Sequence, residues 1–334
     1  MKKQRSEKYK KKEGAALLIA IGVLMVLMVI VSSFMFEVNL ETNLVSHRKN
    51  KFQAEMLAKS GIEYARAILD HRSKAKQLEI EELAEDPGGF MQAALFAKRG
   101  LRTTSTVQMT NGSFSVTLES AENGRNVNLL SKQEWKEIFE NANIPTTEWD
   151  SLVDCLRDWI DENDTHALNG AESDDPFYLE QGYPVKNGPL DSVDELLLIK
   201  GWLPEFLYGK PANDDGEAIQ GIAQLLTVWG DGKININSAT PSVLLSFAEY
   251  EDWELESIFE LRKGLDGEEG TLDDGIKSLS DVGANPGKFK LKSDFIRVTS
   301  VGDSFGKKYR ITAIFMLSSR SATLVFWKES QEKK

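Results

Sequence analysis

The run AALLIAIGVLMVLMVIVSSFMF, residues Ala15 to Phe36, contains no charge and no proline. At about 1.5 Å per residue it makes a helix roughly 33 Å long, enough to cross the hydrocarbon core of a bilayer. Ahead of it Lys2, Lys3, Arg5, Lys8, Lys10, Lys11 and Lys12 outweigh Glu7 and Glu13. The positive-inside rule places that leader in the cytoplasm and everything after Phe36 across the membrane. A secretory signal peptide has a shorter apolar region with a small-residue cleavage site behind it. Here FEVNLETNLVSHRKN follows, with no such site. A plain anchor or a more specialised one remains.

Helical periodicity continues beyond the apolar run. Val38, Val45, Phe52, Met56, Ile62, Ala65 and Leu69 recur mostly at spacings of three, four and seven, with polar residues between them. One helix from Ala15 to about Leu69 would be roughly 80 Å long, its second half laying an apolar stripe on a soluble domain. Two helices broken near Asn39–Asn43 are the alternative. A polar helical stretch then breaks at Asp86-Pro-Gly-Gly89, and TTSTVQMTNGSFSVTLES follows. Its Asn111-Gly112 suits a type I′ turn, where both central residues need positive φ, so a hairpin is predicted over about residues 103–120. Comparable strands return only at the C-terminus, in DFIRVTSVG, KKYRITAIFML and SATLVFWKE. Between about Gly124 and Leu291 the signals are mainly helical. This order predicts one α+β domain with a second unit inserted between its strands.

The inserted stretch has a weak internal echo. GRNVNLLSKQEWKEIFE from Gly124 and GKININSATPSVLLSF from Gly232 both run from a Gly-basic pair through an Asn-x-Asn strand to a helix. Ser131 to Glu134 and Ser192 to Glu195 are candidate capping boxes, and Thr240-Pro241 supplies a cap and a first-turn proline. The second box would open a helix stopping at Gly201. Short helices around glycine turns, as in DELLLIKGW, suggest a helix-hairpin-helix or SAM-like build. DNA binding is disfavoured, because Asp191, Asp194 and Glu195 flank this unit and the chain has a net charge of −12. The single cysteine, Cys155, cannot form an intramolecular disulfide; with Leu152, Leu156 and Trp159 it shares a helical face, which reads as a buried thiol. The exported part is then held by its core, drawn from 41% apolar residues.

The junction KKKEG-AALLIAIGVLM resembles a type IV prepilin leader. In that family a membrane peptidase cuts after the glycine and the apolar segment stays on the mature chain. Carried over, cleavage follows Gly14 and the mature chain starts at Ala15. The resemblance extends further. FQAEMLAKSGIEYARAIL, GSFSVTLESAENGRNVNLL, LVDCLRDWIDENDTHALNGAESDD, NGPLDSVDELLLIKGW and LLTVWGDGKININSATPSVL are similar to the large minor pseudopilins of type II secretion, the GspK type (general secretion pathway protein K). Residues about 205–220 and 265–290 carry little of it. Ordinary pilins have a Glu at the fifth mature residue; here that position is Ile19, and the GspK type characteristically lacks the Glu. A missing intramembrane carboxylate removes a costly group and the register signal for joining beneath an existing subunit.

The resemblance implies a type IV pilin-like α+β fold, a long N-terminal helix packed on an antiparallel sheet. It would comprise a leader (1–14), a transmembrane part of the helix (15–36), a first pilin-like part (37–123), a mainly helical insertion (124–291) and the closing strands (292–334). It implies an inner-membrane protein with a cytoplasmic N-terminus and a periplasmic C-terminal domain, processed by the prepilin peptidase. Its place would be the tip of the pseudopilus, where it initiates or caps assembly. The partners implied are other minor pseudopilins and the major pseudopilin, and further out secreted substrates or the outer-membrane channel, with no nucleic acid. A binding protein of a related pilus or competence system is the runner-up, which the insertion argues against.

The acidic loop after Trp159 is the metal candidate. Calcium takes six to eight oxygen ligands in flexible geometry, and Asp161, Asp164, Glu172, Asp174 and Asp175 are the selected ligands, with a solvated acidic loop as the alternative; the resemblance implies calcium in the inserted domain. The EF-hand spacing is absent, and transition metals are disfavoured because His47, His71 and His166 are far apart in sequence. Gly302-Asp-Ser-Phe-Gly306 matches the hydrolase pattern G-x-S-x-G, but it joins two predicted strands and no His follows His166, so it reads as a hairpin loop. Catalysis is therefore not expected.

Overall fold

The structure, a computed structural model, describes residues 2–75, 89–212, 218–248, 250, 252–318 and 321–331. Helix α1 (Lys2–Ala75) is continuous and starts ahead of the expected Ala15. The alternative break near Asn39–Asn43 does not occur. Most of the polar stretch ending at Asp86-Pro-Gly-Gly89 lies outside the described residues. Helix α2 (Phe90–Arg99) follows, then the hairpin β1 (Thr103–Met109) and β2 (Gly112–Ser120). The next segment carries β3 (Arg125–Asn126), α3 (Lys132–Asn141), α4 (Trp149–Ile160), α5 (Pro176–Gln181), α6 (Pro204–Tyr208), β4 (Leu226–Thr227), β5 (Ile234–Asn235), α7 (Pro241–Ala248), α8 (Asp252–Arg262) and β6 (Phe289–Lys290). Strands β7 (Phe295–Ser304), β8 (Lys307–Leu317) and β9 (Ala322–Gln331) close the chain.

The main sheet has the antiparallel order β1-β2-β7-β8-β9, so β2 and β7 are neighbours although the whole α3–α8 segment separates them in sequence. Alternation turns Phe114, Val116, Leu118, Ile296, Val298, Ile311, Ala313 and Phe315 to one buried face, against Ala54, Ala58, Ile62, Ala65, Ile68 and Leu69 of α1. The predicted stripe on α1 is only partly this face: Val38, Val45 and Phe52 are exposed. Small residues let the helix sit close. A Cβ at Gly61 would clash with Ser300 and Val116, and one at Gly302 with the backbone of Ala54 and Ala58.

The hairpin turn differs from expectation by one residue. Met109 pairs with Gly112, leaving Thr110 and Asn111 as the loop, and neither has positive φ. The glycine serves the sheet instead: at φ 143° a Cβ there would strike the Asp303 carbonyl of β7. The β7–β8 loop, Phe305-Gly306, does have positive φ at both residues, 50° and 76°. Ser304 is buried there, donating to the Asn111 carbonyl at 2.9 Å.

A second core is built by the segment that follows β2 and precedes β7 in sequence. Trp135 and Phe139 of α3 pack with Trp202 at ring separations of 5.4 and 5.9 Å, and Leu152, Cys155 and Leu156 of α4 join the same cluster. Ser131 forms its capping box with Glu134. The Ser192 box does not form. Glu195 is drawn off to Lys186, to the Asp191 amide and to the Trp159 indole, and Val193–Leu198 is a 3-10 helix ending before Gly201. The two echoed segments share a local design: Asn126 and Asn235 each accept from the amide two residues on, within the short parallel pairs β3–β4 and β5–β6. Glu122, 1% exposed, joins the two cores. It accepts from Lys290 and from the Asp294 amide, both at 2.7 Å, and its carbonyl accepts from Asn235.

Candidate metal centre

Helix α4 is amphipathic, but its buried side is not wholly apolar. Beside Leu152, Cys155, Leu156 and Trp159 it buries Asp154 and Asp158. Spacings of four and three put Asp154, Asp158 and Asp161 along one edge of the helix and its C-terminal cap. The loop that follows folds back over this edge. Both oxygens of Asp158 accept from the Ala167 amide at 3.1 Å, and Gly170 packs so close that a Cβ would strike the Asp158 carboxylate. Asp154 is compensated by Lys132 at 3.2 Å and by Asn169.

Glu172 is different. It is 1% exposed, and neither carboxylate oxygen has a hydrogen-bond partner. Burial, together with the charges of Asp158, Asp161 and Asp164, pushes its pKa up to about 7. Asp158 is raised as well, burial being the larger cause. Among the described residues no Lys or Arg pairs with Asp158, Asp161, Asp164 or Glu172. Asp161 accepts from the Asn163 amide at 3.2 Å, and Asp164 from Asn187 Nδ2 at 3.1 Å. The Oδ1 of Asn187 is itself buried without a partner.

An unpaired buried carboxylate is expensive in free energy unless it is protonated or meets a cation. The charges of Asp158, Asp161 and Asp164 act on Glu172, and carboxylate and amide oxygens suit a hard divalent cation, so these four with Asn187 are the candidate donors. Among the described residues, however, the carboxylates that bring their oxygens within 4.8 Å of one another are Asp266, Asp273 and Asp274. The other selected ligands are engaged elsewhere. Asp174 meets His166 Nε2 at 2.7 Å; Asp175 caps α5 and pairs with Lys200 at 2.7 Å. Asp158 and Asn187 escaped the sequence reading. Asp158 had a signal, an acid at helical spacing from Asp154 inside an apolar face; Asn187 becomes visible only when the loop before Pro189 closes over Asp164. A second acidic group, Asp266, Asp273 and Asp274, is spent on its own loop, where Asp273 and Asp274 accept from backbone amides and Thr271.

Gly14 and Ala15 both lie within α1. Ile19 is 69% exposed and most residues from Leu17 to Phe36 are exposed too, so among the described residues nothing covers that stretch.

Residues 114–208 match the family described as type II secretion system (T2SS), protein K. The matched stretch holds most of β2, the aromatic core and the acidic cluster around Glu172. The type II secretion system protein K of Klebsiella pneumoniae is 25% identical over 206 residues, covering 57% of this chain and 58% of that one. The fold is similar to a chain in the crystal structure of the GspK-GspI-GspJ complex from enterotoxigenic Escherichia coli. The TM-score is 0.54 at 12% identity, over 84% of this chain and 99% of the other.

Proposed function

We propose that this protein is a structural subunit working at the tip of a type II secretion pseudopilus, where it initiates or caps assembly. The supporting observation is a stretch similar to the protein K family, joined to a sheet that lies on one long helix, whose Leu17–Phe36 stretch exposes only apolar and small uncharged side chains. Such a run needs lipid or other apolar helices around it. The Ala15–Phe36 stretch anchors the chain in the inner membrane, with the leader cytoplasmic and the folded part periplasmic. Its partners are other minor pseudopilins, as GspI and GspJ accompany GspK in the complex of similar fold. Ile19 brings no carboxylate to pair with a neighbour's N-terminus, which suits a first subunit. On this reading the bulky insertion leaves no room for a further subunit above it. Calcium bound by Glu172, Asp158, Asp161 and Asp164 would supply the positive charge that the pocket lacks and fix the loop against α4. No step of this role requires catalysis.

The test is the N-terminus and mass of the mature protein from native membranes, beside a Gly14→Ala variant, with co-purifying partners identified. A chain starting at Ala15, uncut in the variant and bringing minor pseudopilins with it, is expected. A chain that keeps Met1–Gly14 and purifies alone would leave a plain signal anchor and defeat the reading.

A further inference from the structure

Where α2 and the segment after it meet α8, the surface holds a cleft of about 260 Å³ walled by Phe96, Leu101 and Phe259 and carrying Arg102, Arg262 and Lys263. Three cations converging on an apolar cleft are unexpected on a chain of net charge −12. Arg262 is the least satisfied of them. It is half-buried and stacks on Phe259, 4.6 Å from the ring centroid. One terminal nitrogen donates to the Ile236 and Ala239 carbonyls. Its Nε is buried with no acceptor, and among the described residues no carboxylate pairs with it. Burial without a counter-ion pulls its pKa down to about 10.

The other two cations have only weak claims on them. Arg102 is largely exposed and stands 4.0 Å from Glu119; Lys263 pairs with exposed Glu260. Exposed pairs of this kind exchange readily. The two acids on the cleft do not neutralise it. Asp274 is taken by the Gly270 amide and Thr271, while Glu269 is exposed and acts on Lys263. A guanidinium beside aromatic walls suits a carboxylate attached to an apolar body, met by the terminal nitrogen that does not bond to Ile236 and Ala239. The volume lies just below the range of ordinary small-molecule sites, so the fitting ligand is small.

We propose that this cleft binds a carboxylate on an aromatic or aliphatic body, held by Arg262 with Arg102 and Lys263 at the rim. The carboxylate could belong to a free acid or to the C-terminus of a peptide.

The full-length protein in detergent would be titrated with phenylacetate and with phenylacetamide, followed by ligand-observed NMR. The acid should bind about tenfold or more tightly than the amide, as a charge-assisted hydrogen bond formed out of water predicts. Arg262→Gln should abolish that preference. Should Arg262→Gln not fold, the Arg102→Gln/Lys263→Gln double variant should still weaken binding of the acid. Glu269→Gln should strengthen it, since it removes a repelling charge. An acetylated tripeptide ending in Phe, compared with its C-terminal amide, separates the sources: tighter binding than phenylacetate points to a chain terminus, weaker binding to a free acid. Equal binding of acid and amide, no binding at millimolar concentration, or acid binding unchanged in the folded variants would overturn the proposal.

Discussion

Glu172 is a buried acid whose proton affinity opposes folding at neutral pH. Its folded pKa, about 7, stands above its ordinary value of 4.5, so the folded state holds the proton over the window between them. Stability is therefore greatest below that window and is lost as pH rises through about 7. Thermal melts in chelator should show a lower Tm at pH 8 than at pH 5, and Glu172→Gln, neutral at both, should flatten the difference. Where calcium fills the pocket, adding it at pH 8 should raise the wild-type Tm and leave the Glu172→Gln Tm nearly unmoved. An unchanged wild-type Tm on adding calcium would remove the metal from the functional proposal. Asp174 and Asp175 serve as internal comparisons: with His166 and Lys200 as partners, their removal should cost stability with or without calcium.

Packing between α1 and the sheet is set by what is missing. Ala54, Ala58, Gly61 and Ala65 form a flat strip, and Gly302 lets β7 come up to the helix backbone. Gly61→Leu should destabilise the protein by about 1–3 kcal/mol, the usual effect of overpacking, read as a lower denaturation midpoint. Gly22, with open space around it, should accept Leu with little change in that midpoint. The sequence stripe through Val38, Val45 and Phe52 was a real amphipathic signal with the wrong destination. Periodicity reports that a helix has an apolar side; it does not report how far along its length the sheet extends. A close helix–sheet contact built from alanine and glycine also leaves little trace in a search for large apolar residues. The same holds for Asn111-Gly112, where the glycine was read as a turn residue and in fact makes room for a carbonyl on the next strand.

At the scale of the molecule, two cores meet at a small polar junction. Glu122 and Lys290 are both largely buried there, with Asp231 and Asp294 beside Lys290. Glu122→Ala would leave Lys290 short of its buried partner and the Asp294 amide without an acceptor. The expected loss is about 3 kcal/mol or more in chemical denaturation, with earlier proteolysis of the residues near 230 and 292. Among the described residues, none from Leu17 to Phe36 belongs to either core. A chain lacking residues 1–36 should therefore stay soluble without detergent and melt within a few degrees of the full-length protein. A large loss of Tm on that truncation would mean that the run supports the folded part.

The sequence alone determined the long helix, the strands and their order, because runs of one polarity and alternation of period two or 3.6 are local properties of the chain. It also carried the resemblance to the protein K family, part of which the match over residues 114–208 bears out, and the acidic character of the loop that could take a metal. Tertiary structure alone decided which carboxylates lack a compensating cation from the chain itself. Asp174 and Asp175 look equivalent to Asp161 and Asp164 along the chain, yet His166 and Lys200 satisfy the first two, while the fold gathers the others around an unpartnered Glu172 with Asp158 and Asn187. Desolvation and charge compensation depend on what arrives from other parts of the chain, and no local pattern encodes that.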